Sequence, residues 1–104
     1  MPRTYGEKFL RELSASQDTS IGIELARVCV QANLSVAYVA KALNVSDTTV
    51  HNWFRGLQNV SEPHRKLIEV FISVVDQDTK NGRLPANSIK DAKNYIQELI
   101  GRDI

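Results

Sequence analysis

Five polar side chains fall at regular intervals within residues 46–55, and they carry most of the chemistry that this sequence offers. They are Asp47, Thr48, His51, Asn52 and Arg55. In a helix that begins after Ser46, they occupy positions one, two, five, six and nine and share one face. The stripe combines carboxylate, hydroxyl, imidazole, amide and guanidinium groups, which donate and accept hydrogen bonds. We therefore expect a binding surface that lies along a groove of another molecule.

The sequence signatures of enzymes and metal sites do not accompany this stripe. The chain has no nucleophile elbow, no phosphate-binding loop and no His-Glu zinc motif. Cys29, His51 and His64 do not have the spacing of zinc ligands, and a single cysteine cannot form an internal disulfide. We predict a protein that is not an enzyme and that uses neither a cofactor nor a metal.

Two short helices joined by a tight turn must position the stripe. Ser35 and Ser46 are suitable N-caps for these helices. Asn44 tolerates the left-handed backbone that ends the first helix, and Gly56 ends the second. Apolar residues of the first helix recur three and four residues apart, at Val36, Val39, Ala40 and Leu43. Residues 35–56 therefore match a helix-turn-helix, whose second helix lies in the major groove of DNA.

Residues 34–56 resemble the phage repressor and Cro type of DNA-binding domain, and the likeness extends over about residues 20–75. The elements that carry it are Leu34-Ser35, Val39-Ala40, Leu43-Asn44-Val45-Ser46, Val50 with Trp53, and Arg55-Gly56. Ala40 is small where the two helices cross, and Val50 and Trp53 face the core at three-residue spacing. The resemblance implies an all-α, lambda-repressor-like bundle of about five to six helices.

The resemblance also implies roles for the residues of the stripe. It places base contacts at Asp47, Thr48 and Asn52. An asparagine amide can bind adenine through two hydrogen bonds, threonine can touch a thymine methyl group, and aspartate can accept from a cytosine amino group. Ser46 and Arg55 match positions that contact phosphate and orient the protein. For His51, both a contact with DNA and a place in solvent stay open.

This chain departs from the family pattern at three places. Val36 stands where many members have a glutamine that donates to phosphate, so one backbone contact is lost. Asn44 stands in place of a turn glycine, which is an easy exchange in the left-handed conformation. Cys29 and Phe54 match the positions of a buried Arg–Glu pair, and we expect apolar packing in its place.

Two helices are predicted before the helix-turn-helix. Thr4 and Glu7 have the spacing of a capping box, which starts a helix over residues 4–14. The apolar stripe of that helix is Tyr5, Phe9 and Leu13. A second helix ends at Asn33, and its candidate N-caps are Asp18, Thr19 and Ser20.

Two more helices are predicted after it. Ser61-Glu62-Pro63 starts a helix over about residues 62–79, although the β-branched run at 67–75 leaves a buried strand as the alternative. After a loop with Gly82 and Pro85, Ser88 opens a helix over about residues 88–100. Its apolar stripe is Ile89, Ala92, Ile96 and Leu99.

Length and composition describe an ordinary globular protein. The chain has 104 residues, of which 42% are hydrophobic and 24% are charged, so we expect one domain over residues 1–104. This composition excludes a disordered tail, a collagen-like fibre and a highly basic coat for nucleic acid. Without a long apolar run or a secretory leader, the chain is expected in the cytoplasm of a bacterium or phage-infected cell, away from the membrane.

Charge bears directly on DNA binding. The net charge is +1 for the whole chain, +1 for residues 35–56 and −1 for residues 57–80, so no basic stripe is visible. Few phosphates are neutralised per chain, and useful affinity requires a dimer that spans half-sites about 34 Å apart. Two candidate interfaces are the apolar residues of 67–75 and a C-terminal set, and the alternative is that both belong to the core. The C-terminal set is Ile89, Ile96, Leu99 and Ile100.

These observations predict a sequence-specific, homodimeric transcription regulator that binds double-stranded DNA. Two alternatives stay open. A phage assembly or packaging subunit also joins a helix-turn-helix to oligomerising helices, and it would form a ring. An adaptor on the same fold would bind RNA polymerase or another regulator, which suits the near-neutral charge and the valine at position 36.

Overall fold

The computed structural model describes residues 5–18 and 20–103, and these ranges form an all-α bundle. Its six described helices are α1 (Glu7–Ala15), α2 (Ile21–Ala32), α3 (Val36–Leu43), α4 (Asp47–Phe54), α5 (Glu62–Lys80) and α6 (Ile89–Ile100). The predicted all-α class is confirmed. The alternative of a strand over residues 67–75 is wrong, because those residues lie inside α5, which starts with Pro63 in its first turn. No helix within these ranges is long and apolar enough to cross a membrane.

Short sequence signals fix the ends of the two central helices. Asn33 and Asn44 adopt left-handed backbone, with φ of 58° and 57°, and end α2 and α3 as predicted. Ser46 caps α4, because its Oγ accepts a hydrogen bond from the Thr49 N–H at 3.1 Å. Ser35 is the N-cap residue of α3, but its side chain makes no capping hydrogen bond. These local preferences join α3 to α4 through only three residues.

The N-terminal helix begins later than the sequence predicts. Its first residue is Glu7, and Gly6 precedes it in extended backbone with φ of −67° and ψ of 150°. The predicted start at residue 4 is wrong, because glycine is a poor interior residue for a helix. Thr4 itself lies outside the described residues. Tyr5 is not helical, and its hydroxyl donates a hydrogen bond to the Leu34 carbonyl oxygen instead.

Arg27 fixes the connection between α1 and α2. Its guanidinium donates hydrogen bonds to the carbonyl oxygens of Ser16 and Asp18, at 2.9 and 3.2 Å. The Asp18 carboxylate accepts a further bond from the Ser20 N–H at 2.7 Å. Ser20 is the N-cap residue of α2, whereas Thr19, another predicted cap, lies outside the described residues. These bonds hold the end of α1 beside α2.

The core lies where α2 packs on α4 and α5, and where α3 packs on α4 and α6. Its largest fully buried side chains are Trp53, Phe54, Leu25, Leu34, Leu43, Ile68, Ile96, Val39, Val50, Val75 and Cys29. Burial raises the pKa of the Cys29 thiol, which keeps it neutral among these apolar groups. Cys29 and Phe54 are therefore both core residues, as predicted for the apolar replacement of an ion pair.

The apolar stripe of α6 differs from the predicted one at its first residue. Ile89 is 61% exposed, because it directly follows the cap residue Ser88 and lies at the open end of the helix. Tyr95 is buried instead, and its hydroxyl donates a hydrogen bond to the Asp78 carboxylate at 2.6 Å. The other predicted members pack on the core, with Ala92 and Ile96 buried and Leu99 partly buried.

Replacement of Gly22 by alanine is expected to destabilise the fold. A Cβ atom at this position would lie 2.5 Å from the Trp53 carbonyl oxygen, so α2 and α4 must separate. Overpacking of this kind costs about 1–3 kcal/mol, although in an unobstructed helix the same exchange stabilises by up to about 1 kcal/mol. Urea unfolding measures the free energy, with Gln31→Ala on the exposed side of α2 as the control. A more stable Gly22→Ala protein would contradict the close approach of α2 and α4.

Candidate nucleic-acid interface

Helix α4 is held by an apolar face that packs into the core. Val50, Trp53 and Phe54 are all buried, as the three-residue spacing of the first two predicts. The preceding turn is closed by a hydrogen bond from the Val45 N–H to the Ala40 carbonyl oxygen at 3.0 Å. Because three of the eight residues of α4 point inwards, the direction of its remaining side chains is fixed.

The opposite face of α4 carries the polar stripe. Asp47, Thr48, His51 and Arg55 are exposed, and Asn52 is half-buried. The structure therefore brings together on one surface all the residues that the sequence predicts for it. Ser46 is exposed at the start of the same helix. Its Oγ lies 2.9 Å from the Thr49 Oγ1 and also accepts the capping hydrogen bond from the Thr49 N–H. The Ser46 hydroxyl therefore caps α4 and is also part of the exposed surface.

Gln58 is a member of this surface that the sequence does not indicate. Its Oε1 accepts a hydrogen bond from the Asn52 Nδ2 at 3.4 Å. The turn after α4 brings it there: Gly56 has a φ of 72°, and the Leu57 N–H donates to the Asn52 carbonyl oxygen at 2.9 Å. A glycine that ends a helix predicts a turn, but it does not say which side chain returns to the helix.

Arg55 lies against an aromatic side chain of α1. Its guanidinium carbon is 5.9 Å from the centre of the Phe9 ring, within the range of a cation–π interaction. The Phe9 ring in turn stacks on Phe54 at 6.3 Å. No carboxylate of the described residues forms an ion pair with Arg55, so its charge is available to a partner.

A groove of about 490 Å³ runs between α1 and the polar stripe, and we call it the α1 groove. It is lined by Tyr5, Gly6, Lys8, Phe9, Ser35, Val36, Ala37, Asp47, His51, Phe54 and Arg55. Burial raises the pKa of Tyr5, so its hydroxyl stays protonated at the floor of the groove. Three residues of the polar stripe thus share a cleft with the N-terminal helix.

Comparison with known proteins gives no relative for this chain. No protein-family model, no curated protein and no solved structure matches it. Any inference about function therefore depends on the side chains and their geometry. Within the described ranges, the most distinctive of them are the exposed polar groups of α4.

Removal of the Ser46 hydroxyl is expected to weaken the start of α4. Ser46→Ala deletes the acceptor of the Thr49 N–H, and loss of such a cap costs about 1 kcal/mol. Ser35→Ala is the matched control, because Ser35 stands at the N-cap of α3 without a side-chain capping bond, and its loss is expected below about 0.5 kcal/mol. Urea unfolding compares the two variants, and equal losses would rule out a specific capping role for Ser46.

Proposed function

We propose that this chain is a sequence-specific transcription regulator that binds double-stranded DNA as a homodimer. The observation that carries the proposal is the division of α4 into two faces. Val50 and Trp53 anchor the helix in the core, while the polar stripe on the opposite side is exposed. Helices α3 and α4, separated by three residues, support the resemblance to the repressor and Cro type. Binding at a promoter would exclude polymerase or contact it from an adjacent site.

The dimensions of α4 suit the major groove. An α-helix with its side chains is about 10–12 Å across, which matches the width of about 12 Å of the major groove. Asp47 and Thr48 lie at the N-terminal end of α4, and Asn52 lies just over one turn further on. In this proposal these three side chains contact base edges, and His51 lies beside them.

The hydrogen bond from Asn52 to Gln58 supports a role in adenine recognition. The amide of asparagine has two N–H donors and one oxygen acceptor. One donor is directed to Gln58, and the second donor and the oxygen stay available to the N7 and N6 groups of adenine. Gln58 then restricts the rotation of the Asn52 amide before DNA arrives, which lowers the ordering cost of binding.

Arg55 is proposed to contact the DNA backbone. Its guanidinium lies over the Phe9 ring and has no carboxylate partner among the described residues. Such a cation suits a phosphate contact, which positions the protein without reading sequence. Ser46, exposed at the N-terminus of α4, is proposed to contact a second phosphate.

Asn52→Ala and Arg55→Ala are expected to affect DNA binding differently. Selection from a random duplex library at low salt supplies a consensus, which the proposal predicts to be palindromic. Asn52→Ala is then expected to lose about 1–3 kcal/mol of discrimination at one adenine position. Arg55→Ala is expected to weaken consensus and random duplexes by the same factor, because a phosphate contact carries no sequence information. Fluorescence anisotropy measures both.

Asn94→Ala on the exposed side of α6 is the matched control. Unchanged consensus affinity in both α4 variants would refute the proposed interface. If the wild-type protein enriches no sequence and binds no duplex at low salt, the near-neutral charge of the chain favours the adaptor that binds RNA polymerase or another regulator.

Residues of both candidate interfaces for a homodimer meet in one groove, which does not include Ile89. It is lined by Ala42, Leu43, Leu67, Val70, Phe71, Val74, Leu99 and Ile100. Leu67 and Val70 of α5 are 42% and 61% exposed, whereas Ile96 is fully buried and belongs to the core. A second copy of the chain would cover this apolar surface and bring together two α4 helices for the two half-sites of a palindrome.

Val70→Glu is expected to convert the dimer to a monomer, because it places a charge at the most exposed apolar position of this groove. Ile89→Glu is a matched control. Ile89 and Val70 are equally exposed, at 61%, but Ile89 does not line the groove. Light scattering measures the mass of each variant. A wild-type monomer, or a Val70→Glu protein that stays dimeric, would contradict this interface, and a mass of many chains would favour a ring-forming assembly subunit.

A further inference from the structure

We propose that α1 is part of the DNA interface and that Lys8 contacts a backbone phosphate at the edge of the polar stripe. This inference rests on the proposed DNA-binding function and adds a residue and a helix to it. The observation behind it is the α1 groove, which is lined by Lys8 of α1 together with Asp47, His51 and Arg55 of the polar stripe. A DNA strand that follows α4 would pass along this groove.

The position of Lys8 is fixed by the packing of α1. Tyr5, before the helix, donates a hydrogen bond to the Leu34 carbonyl oxygen, and Phe9 packs on the Phe54 ring. Leu13, one turn further, is buried in the core. Lys8 is thus presented from an anchored helix, and little backbone order has to be gained when it binds.

The charges around the groove favour an anionic occupant. Lys8 is exposed, and no carboxylate of the described residues forms an ion pair with it. The groove contains Lys8 and Arg55 against the single carboxylate of Asp47. Of the remaining charges of α1, Glu12 lines an adjoining cleft that it shares with Arg55, and Glu7 and Arg11 line another cleft. Lys8 is therefore the charge that α1 directs to the groove.

Lys8 supplies a hydrogen-bond donor to a groove in which the side chain of Val36 has none. Val36 lines the same groove, and its side chain cannot donate a hydrogen bond to phosphate. The groove has a volume of about 490 Å³. A phosphate in it would be attracted to the ammonium group of Lys8, and the attraction would be independent of base sequence.

The salt dependence of DNA binding tests this contact. Each phosphate contact contributes about 0.9 to the slope of log affinity against log salt, so Lys8→Gln in a dimer is expected to lower the slope by about 1.8. Between about 50 and 200 mM salt, the factor by which the wild-type affinity falls should then be about twelve times the factor for the variant. Consensus and random duplexes should show the same change.

Two controls separate a phosphate contact from a loss of structure. Lys8→Arg keeps the charge and is expected to keep the wild-type slope. Lys90→Gln removes a charge from an exposed lysine of α6 that does not line the groove, and it is also expected to leave the slope unchanged. Far-ultraviolet circular dichroism and urea unfolding confirm that each variant is folded.

The possible failures are distinguishable. If the wild-type chain binds no duplex at low salt, the proposed function fails and this inference fails with it. If the wild-type chain binds and Lys8→Gln has the same slope, only the inference is overturned. A Lys8→Gln protein that binds more tightly would show that α1 opposes DNA, which also overturns it.

Discussion

The close approach of α2 and α4 at Gly22 is the constraint on which the rest of the structure depends. A Cβ atom at Gly22 would lie 2.5 Å from the Trp53 carbonyl oxygen, so only glycine allows the first turn of α2 to rest on the backbone of α4. This contact lets Trp53 and Phe54 fill the centre of the core. Because Trp53 and Phe54 are buried, the polar residues of the short helix α4 lie on its exposed face. The candidate site is therefore a consequence of core packing, and its direction is as rigid as that packing.

The parts of the fold that the sequence predicts are those controlled by short-range preferences. Asn44 and Ser46 act within a few residues of themselves, through a left-handed backbone and a capping hydrogen bond, so the turn between α3 and α4 follows from its own residues. The long helix α5 forms although it is rich in β-branched residues, because Pro63 and its acidic first turn start a helix and nineteen residues exceed the usual length of a strand. The division of α4 into buried and exposed faces was likewise predictable from its periodicity, whereas its contact with DNA stays a proposal.

The parts that the sequence does not predict depend on contacts between distant segments. Phe9 lies near Arg55, and Lys8 and His51 line the same groove, but nothing in the spacing of these residues indicates that α1 lies beside α4. Periodicity also cannot tell which turn of an amphipathic helix reaches the core. In α6 the first apolar residue, Ile89, is exposed. Tyr95 is buried against the core instead, and its hydroxyl donates a hydrogen bond to Asp78. The capping pattern at residues 4–7 predicts a helix that starts too early, because Gly6 has extended backbone and α1 begins at Glu7.

A surface with so little positive charge has a consequence for affinity in the proposed complex. Binding to random DNA is almost entirely electrostatic, and the α1 groove has only Lys8 and Arg55 to set against Asp47. Competing non-specific sites would therefore hold the protein weakly at physiological salt. Base contacts contribute the same free energy whatever the charge of the rest of the surface, so the ratio of specific to non-specific affinity is set by these contacts, while a low charge weakens both kinds of binding. The low charge of the chain, which at first argues against DNA binding, is then compatible with a regulator that gains affinity from a second copy and specificity from a few well-held side chains such as Asn52.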